Sequence, residues 1–253
     1  MGGPFLFSHS PGGNCRFRRA KCYNPPMSPR PTTEQTIRRL RAVPLFQTLD
    51  DATMARLAAE TQWYEYRTGE VIVPEGEAQP GLYFLAYGYV KAVKYSAAGR
   101  EQTLRVLEAG DTFNELSVFT RRPNPATAIA LEASGIWLIP RATLTRLMRE
   151  QPDFAQSVIE QIAERMLFLV SLVTDLSLRP VTGRLARLLL ESASEDVVLR
   201  PRWFTQAELA ARLGTVPDVI QRSLRGMEGD GLIAVDRQQI RILDRFALEA
   251  LAV

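Results

Sequence analysis

The chain of 253 residues has two cysteines, Cys15 and Cys22, and a single histidine, His9. All three fall within the first 26 residues, a stretch rich in Gly, Pro and Arg without helical or strand periodicity. Two cysteines with six residues between them do not fill a tetrahedral zinc site, and a four-thiolate iron–sulfur cluster needs more ligands than exist. No metal site is therefore expected. Residues 1–32 read as a disordered tail, or as sequence ahead of a later start, since Met27 opens a more ordinary beginning. Lysine is nearly absent as well: Lys21, Lys91 and Lys94 are the only ones, and the remaining positive charge is arginine. Arginine suits bidentate contacts, but coding bias in a GC-rich genome gives the same composition and is the simpler reading. A formal net charge of only +3 excludes a coating protein that holds nucleic acid by its whole surface. Long hydrophobic runs are missing too. The longest, residues 166–173, is far too short to span a bilayer. Residues 1–8 lack the basic and apolar regions of a secretory signal, so a cytoplasmic protein without membrane contact is expected. No nucleophile–base pair, zinc ligand set or phosphate loop is legible, which leaves no catalytic residue to name and argues against an enzyme.

What is there is organised in blocks. A composition of 46% hydrophobic and 23% charged residues allows two modest globular domains. Between residues 33 and 61, apolar Ile37, Leu40, Val43, Leu45, Phe46, Leu49, Met54 and Leu57 suggest short helices, with Asp50 and Asp51 as caps. From Trp63 to about Pro140 the pattern becomes short β-type runs at 71–73, 82–85, 89–93, 103–107, 128–131 and 136–139. Gly69, Gly76, Gly81, Gly88, Gly99 and Gly110 punctuate them, which predicts an antiparallel sandwich or barrel.

After Pro140 the period turns helical. Residues 141–150 predict one short helix, and a long one runs from Pro152 to about Arg179. Within it Ile159, Ile162, Met166, Leu169, Val173 and Leu176 form a heptad seam. Leu167, Phe168, Val170 and Leu172 widen the apolar stripe, so the helix needs burial on more than one side. Packing on its own β domain and pairing with a second copy satisfies both faces, which predicts a homodimer. Pro180 breaks the helix, and residues 199–204 resemble a short strand.

Residues 205–214 then carry a capped helix, with Thr205 as N-cap, Glu208 completing a capping box and Gly214 at the end. A tight turn at Thr215 and Val216 leads to a second helix from Pro217 to about Gly229. Leu209, Ala210, Leu213, Val216, Ile220 and Leu224 are expected to hold the two helices together. The spacing of Asp218, Gln221 and Arg222 places them on one free face of the second helix, beside Pro217. Residues 231–235 and 240–242, joined through Asp236, predict a hairpin wing. Helix, turn, helix and wing together predict a DNA-binding unit.

The order of β-roll, long helix and winged helix resembles the CRP/FNR regulators over residues 45–243. The resemblance rests on Gly69 and Glu70; Pro74 to Gly76; Leu82 to Leu85; Gly88 to Val90; Gly110 to Phe113 with Glu115 and Leu116; Val181 to Arg184; and residues 205–233. It implies an α+β fold: a jelly-roll-like antiparallel β-roll sensor at 33–150, a dimerisation helix at 151–179, and a winged helix-turn-helix at 180–253. The implied function is a homodimeric transcription regulator on a palindromic double-stranded operator, with RNA polymerase as partner if it activates. Thr205, Gln206 and Arg237 are then backbone contacts. Pro217, Asp218, Gln221 and Arg222 face the bases, and Arg222 is the guanine reader. Pro217 stands where the cAMP receptor has its first arginine, which implies an FNR-like TTGA-type half-site.

The effector end departs from the cyclic-nucleotide pattern. By resemblance, the effector pocket falls on Asn114, Glu115, Leu116, Pro125, Ala126, Thr127, Leu169 and Val170. The Gly-Glu-Leu stretch is here Asn114, Glu115 and Leu116, and the phosphate-binding Arg-Ser pair is Pro125 and Ala126. The polar pair that meets the purine falls on Leu169 and Val170. A cyclic phosphate buried without its guanidinium loses a charge-assisted contact and its desolvation goes uncompensated. The resemblance therefore points to the FNR- and nitric-oxide-type branch rather than the cAMP branch. An iron–sulfur cluster is disfavoured by cysteine count. Haem through His9 is disfavoured, while haem on other axial ligands stays open. A regulatory ligand-binding module without DNA activity is the alternative from another class. In titration calorimetry, cAMP is expected to show no micromolar binding at the β-roll.

Overall fold

The computed structural model describes residues 31–252; Cys15, Cys22 and His9 lie outside the described residues. The first helix, α1 (Thr33–Arg41), opens on a complete capping box between Thr32 and Gln35. A single 3-10 turn at Pro44–Phe46 follows, and then α2 (Asp51–Glu60). The Asp50 carboxylate caps α2 by accepting from the Thr53 N–H at 2.7 Å, while Asp51 is the first helical residue.

Eight strands follow: β1 (Gln62–Tyr66), β2 (Val71–Val73), β3 (Gly81–Tyr87), β4 (Val90–Tyr95), β5 (Glu101–Leu107), β6 (Thr112–Phe113), β7 (Thr127–Ala130) and β8 (Ser134–Pro140). They form two antiparallel four-stranded sheets, ordered β1-β8-β3-β6 and β2-β7-β4-β5. The expected strand runs are all present; β2 and β7 keep their expected length, and the other four run one to three residues longer. Two short strands, β1 and β6, were not anticipated, and neither was α3 (Glu115–Thr120). β6 has only two residues, too few for any alternation to register.

Strands β3 and β8 are buried on both faces, which explains their continuous apolar runs. Tyr83, Leu85, Ile136 and Leu138 point into the core between the sheets, with Val90, Leu107 and Phe113. Leu82, Phe84, Trp137 and Ile139 alternate to the other face and meet the helices. There Phe46 stacks on Phe154 of the long helix at 6.0 Å between ring centroids.

The helix α4 (Arg141–Glu150) leads into α5 (Pro152–Leu178), 27 residues that begin on a proline at a first-turn position and stop before Pro180. The C-terminal part comprises α6 (Val181–Ser192), β9 (Val197–Leu199), α7 (Gln206–Leu213), α8 (Pro217–Gly229), β10 (Ile233–Val235), β11 (Gln239–Ile242) and α9 (Arg245–Leu251). The strand expected at 199–204 is instead β9, two residues earlier. It pairs with β11, giving a three-stranded sheet ordered β10-β11-β9. Beyond Leu199 the chain turns: Pro201 has no N–H to offer a ladder, and the Phe204 N–H bonds back to the Pro201 carbonyl.

Candidate nucleic-acid interface and effector region

Helices α7 and α8 are held together by Leu209, Ala210, Leu213, Ile220 and Leu224, all buried in one cluster with Leu185 and Leu189 of α6. Between them Gly214 sits at φ +64°, a left-handed conformation that ends α7 cheaply only without a Cβ. Val216 was expected in this core and is not. It is the N-cap of α8 and 52% exposed, because the turn points its side chain outward as the chain re-enters a helix.

The expected capping box on α7 is half formed. The Thr205 hydroxyl accepts from the Glu208 N–H at 3.1 Å, but the Glu208 carboxylate does not return to the cap. The Thr205 N–H bonds to the Trp203 carbonyl instead. Glu208 is 7% exposed and reaches the β-roll, accepting from Lys91 Nζ at 2.9 Å and from the Thr103 hydroxyl at 3.2 Å. Lys91 also binds Glu101, so one ammonium joins two carboxylates. Nearby, Gln102 donates to the Arg212 carbonyl at 3.3 Å, and Tyr89 packs on Trp203 at 4.9 Å between centroids. These contacts dock the first helix of the motif on β4 and β5. The sequence carries one hint of them, since Lys91 is a rare lysine in an arginine-rich chain.

On α8, Pro217, Asp218 and Arg222 are exposed and Gln221 is half-exposed. Among the described residues no ion pair joins Asp218 to Arg222, so the guanidinium is not spent on its helical neighbour. Arg225, one turn further on, is exposed too and was not anticipated. Thr205 is exposed and Gln206 half-exposed at the start of α7. Arg237 lies exposed in the turn between β10 and β11. That turn is shaped by Asp236, whose carboxylate accepts from the N–H groups of Gln238 and Gln239 at 2.7 and 2.8 Å. These two bonds hold the Asp236 carboxyl below its ordinary range. Arg200 donates to the Asp236 carbonyl and braces the same turn.

At the effector region, Asn114 adopts φ 74° as the N-cap of α3, a left-handed conformation that asparagine tolerates better than most residues. Its amide donates to the Gly81 carbonyl at 2.7 Å. Glu115 is buried and forms a two-pronged pair with Arg165 of α5: Nη1 to Oε2 at 2.8 Å and Nη2 to Oε1 at 2.7 Å. Thr112 donates to Glu115 at 2.7 Å, and Gln161 of α5 donates to Thr112 at 2.9 Å. Burial pulls the Arg165 guanidinium below its ordinary value, and the Glu115 charge offsets part of that. The side chain named by resemblance as a ligand contact is thus engaged by the chain's own helix. Leu116 and Pro125 are exposed, and Ala126 is buried. The Thr127 hydroxyl accepts from the Glu75 N–H at 3.2 Å. Leu169 and Val170 are exposed on α5.

Of the six residues expected in the α5 seam, four face outward. Ile159, Met166, Leu169 and Val173 are exposed, but Ile162 and Leu176 are half-buried against their own chain. Residues 159, 163, 166, 170 and 173 also step 4, 3, 4, 3 along an exposed face. The heptad period is the same, and Ile159, Met166 and Val173 belong to both sets, while Ile162 and Leu176 pack on their own chain. Phe154 and Val158 are fully occupied at the N-terminal end.

The comparisons agree with this geometry. A cyclic nucleotide-binding domain matches residues 63–151, and a Crp-like helix-turn-helix domain matches residues 183–251. A probable transcriptional regulator flp of Lacticaseibacillus casei is 30% identical over 214 residues, covering 83% of this chain and 96% of its own. A CRP-like cAMP-activated global transcriptional regulator of Mycobacterium tuberculosis is 26% identical over 206 residues, covering 79% of this chain and 92% of its own. Among solved structures, FixK2 from Bradyrhizobium japonicum shares the fold with a TM-score of 0.70 at 21% identity, covering 76% of this chain and 98% of that one. The chain belongs to the CRP/FNR family of transcription regulators, with a helix-turn-helix DNA-binding domain. Its relatives are regulators and not enzymes. Among the described residues, no helix is long and apolar enough to cross a membrane.

The Lys91 contact has a measurable weight. Replacing Lys91 by Ala leaves Glu101 and Glu208 close together with their counter-charge gone, and urea unfolding should show a loss of about 3 kcal/mol. Burial lowers the Lys91 ammonium, but hydrogen bonds and charge from Glu101 and Glu208 outweigh it and raise it above the ordinary 10.5. A raised lysine stabilises fully at neutral pH, and the contribution fades only as pH climbs above that ordinary value. The wild type should therefore lose stability at strongly alkaline pH more steeply than the Lys91→Ala variant.

Proposed function

We propose that this regulator acts as a homodimer that reads a two-fold symmetric operator, under a signal received by its β-roll and not delivered by cAMP. In this division, residues 33–150 form the sensor, 151–179 the dimer helix and 180–253 the DNA-binding unit; residues 1–32 stand outside it. The observation that carries the reading is the pair of unpartnered faces. One is the exposed apolar face of α5, where Met166 is 62% and Val170 64% exposed. The other is the exposed polar face of α8, where Arg222 makes no ion pair among the described residues.

A contiguous apolar helical face at heptad spacing fits a second copy of the same helix. Two copies related by a two-fold axis present two α8 helices to half-sites about 10 bp apart, or slightly more. Within each half-site Arg222 donates both prongs of its guanidinium to a guanine. Asp218 accepts from a cytosine amino group or orients Arg222, and Gln221 reads adenine. Thr205, Gln206 and Arg237 contact phosphates and set the register. The absence of cAMP from this scheme is supported by the sequence at Pro125 and Ala126 and by Glu115, whose oxygens are taken by Arg165 and Thr112. The tuberculosis relative is described as cAMP-activated, so the difference would lie within one family.

A charge at the centre of the α5 face tests the dimer. Val170→Glu should sediment as a monomer and lose operator affinity by about tenfold or more; a dimer of unchanged affinity would show that the pairing lies elsewhere. For the base contact, Arg222→Ala should cost about 1–3 kcal/mol on operator and relax discrimination at one base pair. In gel shifts, equal losses on operator and on random DNA would reassign Arg222 to phosphate.

A further inference from the structure

A cleft of about 360 Å³ opens where β5, α5, α6 and α7 meet, and none of the eight residues assigned to the effector by resemblance lines it. Its size is that of a small-molecule site. Four arginines line it, Arg105, Arg184, Arg187 and Arg212, against two acids, Asp175 and Glu191. Two of the four are already committed. Arg105 pairs with Asp111, and Arg187 pairs with Glu191 at 2.6 Å and with Asp175 at 3.2 Å.

Arg184 and Arg212 are different. Among the described residues neither side chain makes an ion pair within 4.0 Å or donates a hydrogen bond to protein, and Arg184 Nε is buried without a partner. Arg212 lies over the Trp203 ring, 5.5 Å from its centroid, which steadies the guanidinium without neutralising it. Burial lowers both guanidinium groups from their ordinary value, and the nearby Asp175 and Glu208 charges offset only part of that. Uncompensated charge beside an apolar surface is costly to keep, and an anion brought to the pair would relieve it.

The remaining lining is apolar: Phe168, Leu172 and Leu176 from α5, Leu188 from α6 and Leu213 from α7. An inorganic anion would leave that surface unused. We propose that this cleft binds a small organic anion, with a carboxylate or phosphate held between Arg184 and Arg212 and an apolar body laid on the leucines. Arg184 belongs to α6 and Arg212 to the first helix of the DNA-binding motif, while Thr103 and Arg105, also in the lining, belong to the sensor sheet. A ligand there bridges sensor and reader directly. The binding site itself stands without the DNA reading; only its regulatory consequence rests on it.

The test uses the full-length protein in titration calorimetry, with phenyl phosphate and benzoate as probes and inorganic phosphate alongside. At least one organic anion should bind saturably, with a dissociation constant at or below about 1 mM. Arg184→Met and Arg212→Met should each weaken it about tenfold or more, as loss of a charge-assisted hydrogen bond implies, and Arg222→Met should leave it unchanged. Thermal unfolding checks that the variants fold. Arg184→Lys and Arg212→Lys, which keep the charge but lose the fork, should bind with intermediate affinity. No saturable binding by either organic probe, or binding that ignores both arginines, overturns the proposal. Inorganic phosphate binding as tightly as phenyl phosphate overturns its apolar half. Because the readout contains no DNA, a failure here is separate from a failure to bind an operator.

Discussion

The long helix α5 has more apolar surface than the described residues cover, and much of the architecture follows from how that surplus is divided. Its N-terminal end is fixed by Phe154 and Val158 in the outer core. Its middle is fixed by Arg165, whose fork closes on Glu115 of α3. These anchors set the rotation of the helix about its axis. They thereby decide that Ile162 and Leu176 turn inward and that Ile159, Met166, Val170 and Val173 stay uncovered. Breaking a buried ion pair of this kind costs more than the pair itself contributes, because the carboxylate left behind has no water to turn to.

The same helix carries one wall of the junction with the DNA-binding unit. On the sensor side the junction is polar: Lys91, Glu101 and Thr103 meet Glu208. On the helix side it is a cleft with two guanidinium groups that make no ion pair among the described residues. A polar junction suits a regulator, since charged contacts exchange for water more readily than a packed apolar core comes apart. The helix-turn-helix is held to the β-roll by a small number of strong, specific bonds, and a charge entering the cleft would act beside them.

Much of the fold could be read before any coordinates. The alternation of Tyr83 and Leu85 with Leu82 and Phe84 is simple enough to locate a strand, and burial on both faces explains why that strand contains no polar break. The helix pair α7 and α8 was legible from Thr205, Gly214 and Pro217, because caps and breakers act over three or four residues. The errors arose where distant partners compete for a local signal. Glu208 has the spacing of a capping box, yet a lysine 117 positions away takes its carboxylate. Val216 has the apolar character of a core residue, yet the turn directs it outward. The two-residue β6 was invisible because its pairing with β3 is the only thing that makes it a strand.

The sequence by itself determined the order of the blocks, the helix-turn-helix and its free polar face, and the presence of a proline and an alanine at Pro125 and Ala126. Each of these is written in periodicity, capping or residue identity over a short span. Tertiary structure alone decided which stripe of α5 is left uncovered, that Glu115 is spent on Arg165, and that Arg184 and Arg212 line one cleft. Residues on different elements acquire those relations only when β5, α5, α6 and α7 are packed together, and no local pattern records a packing between segments a hundred residues apart.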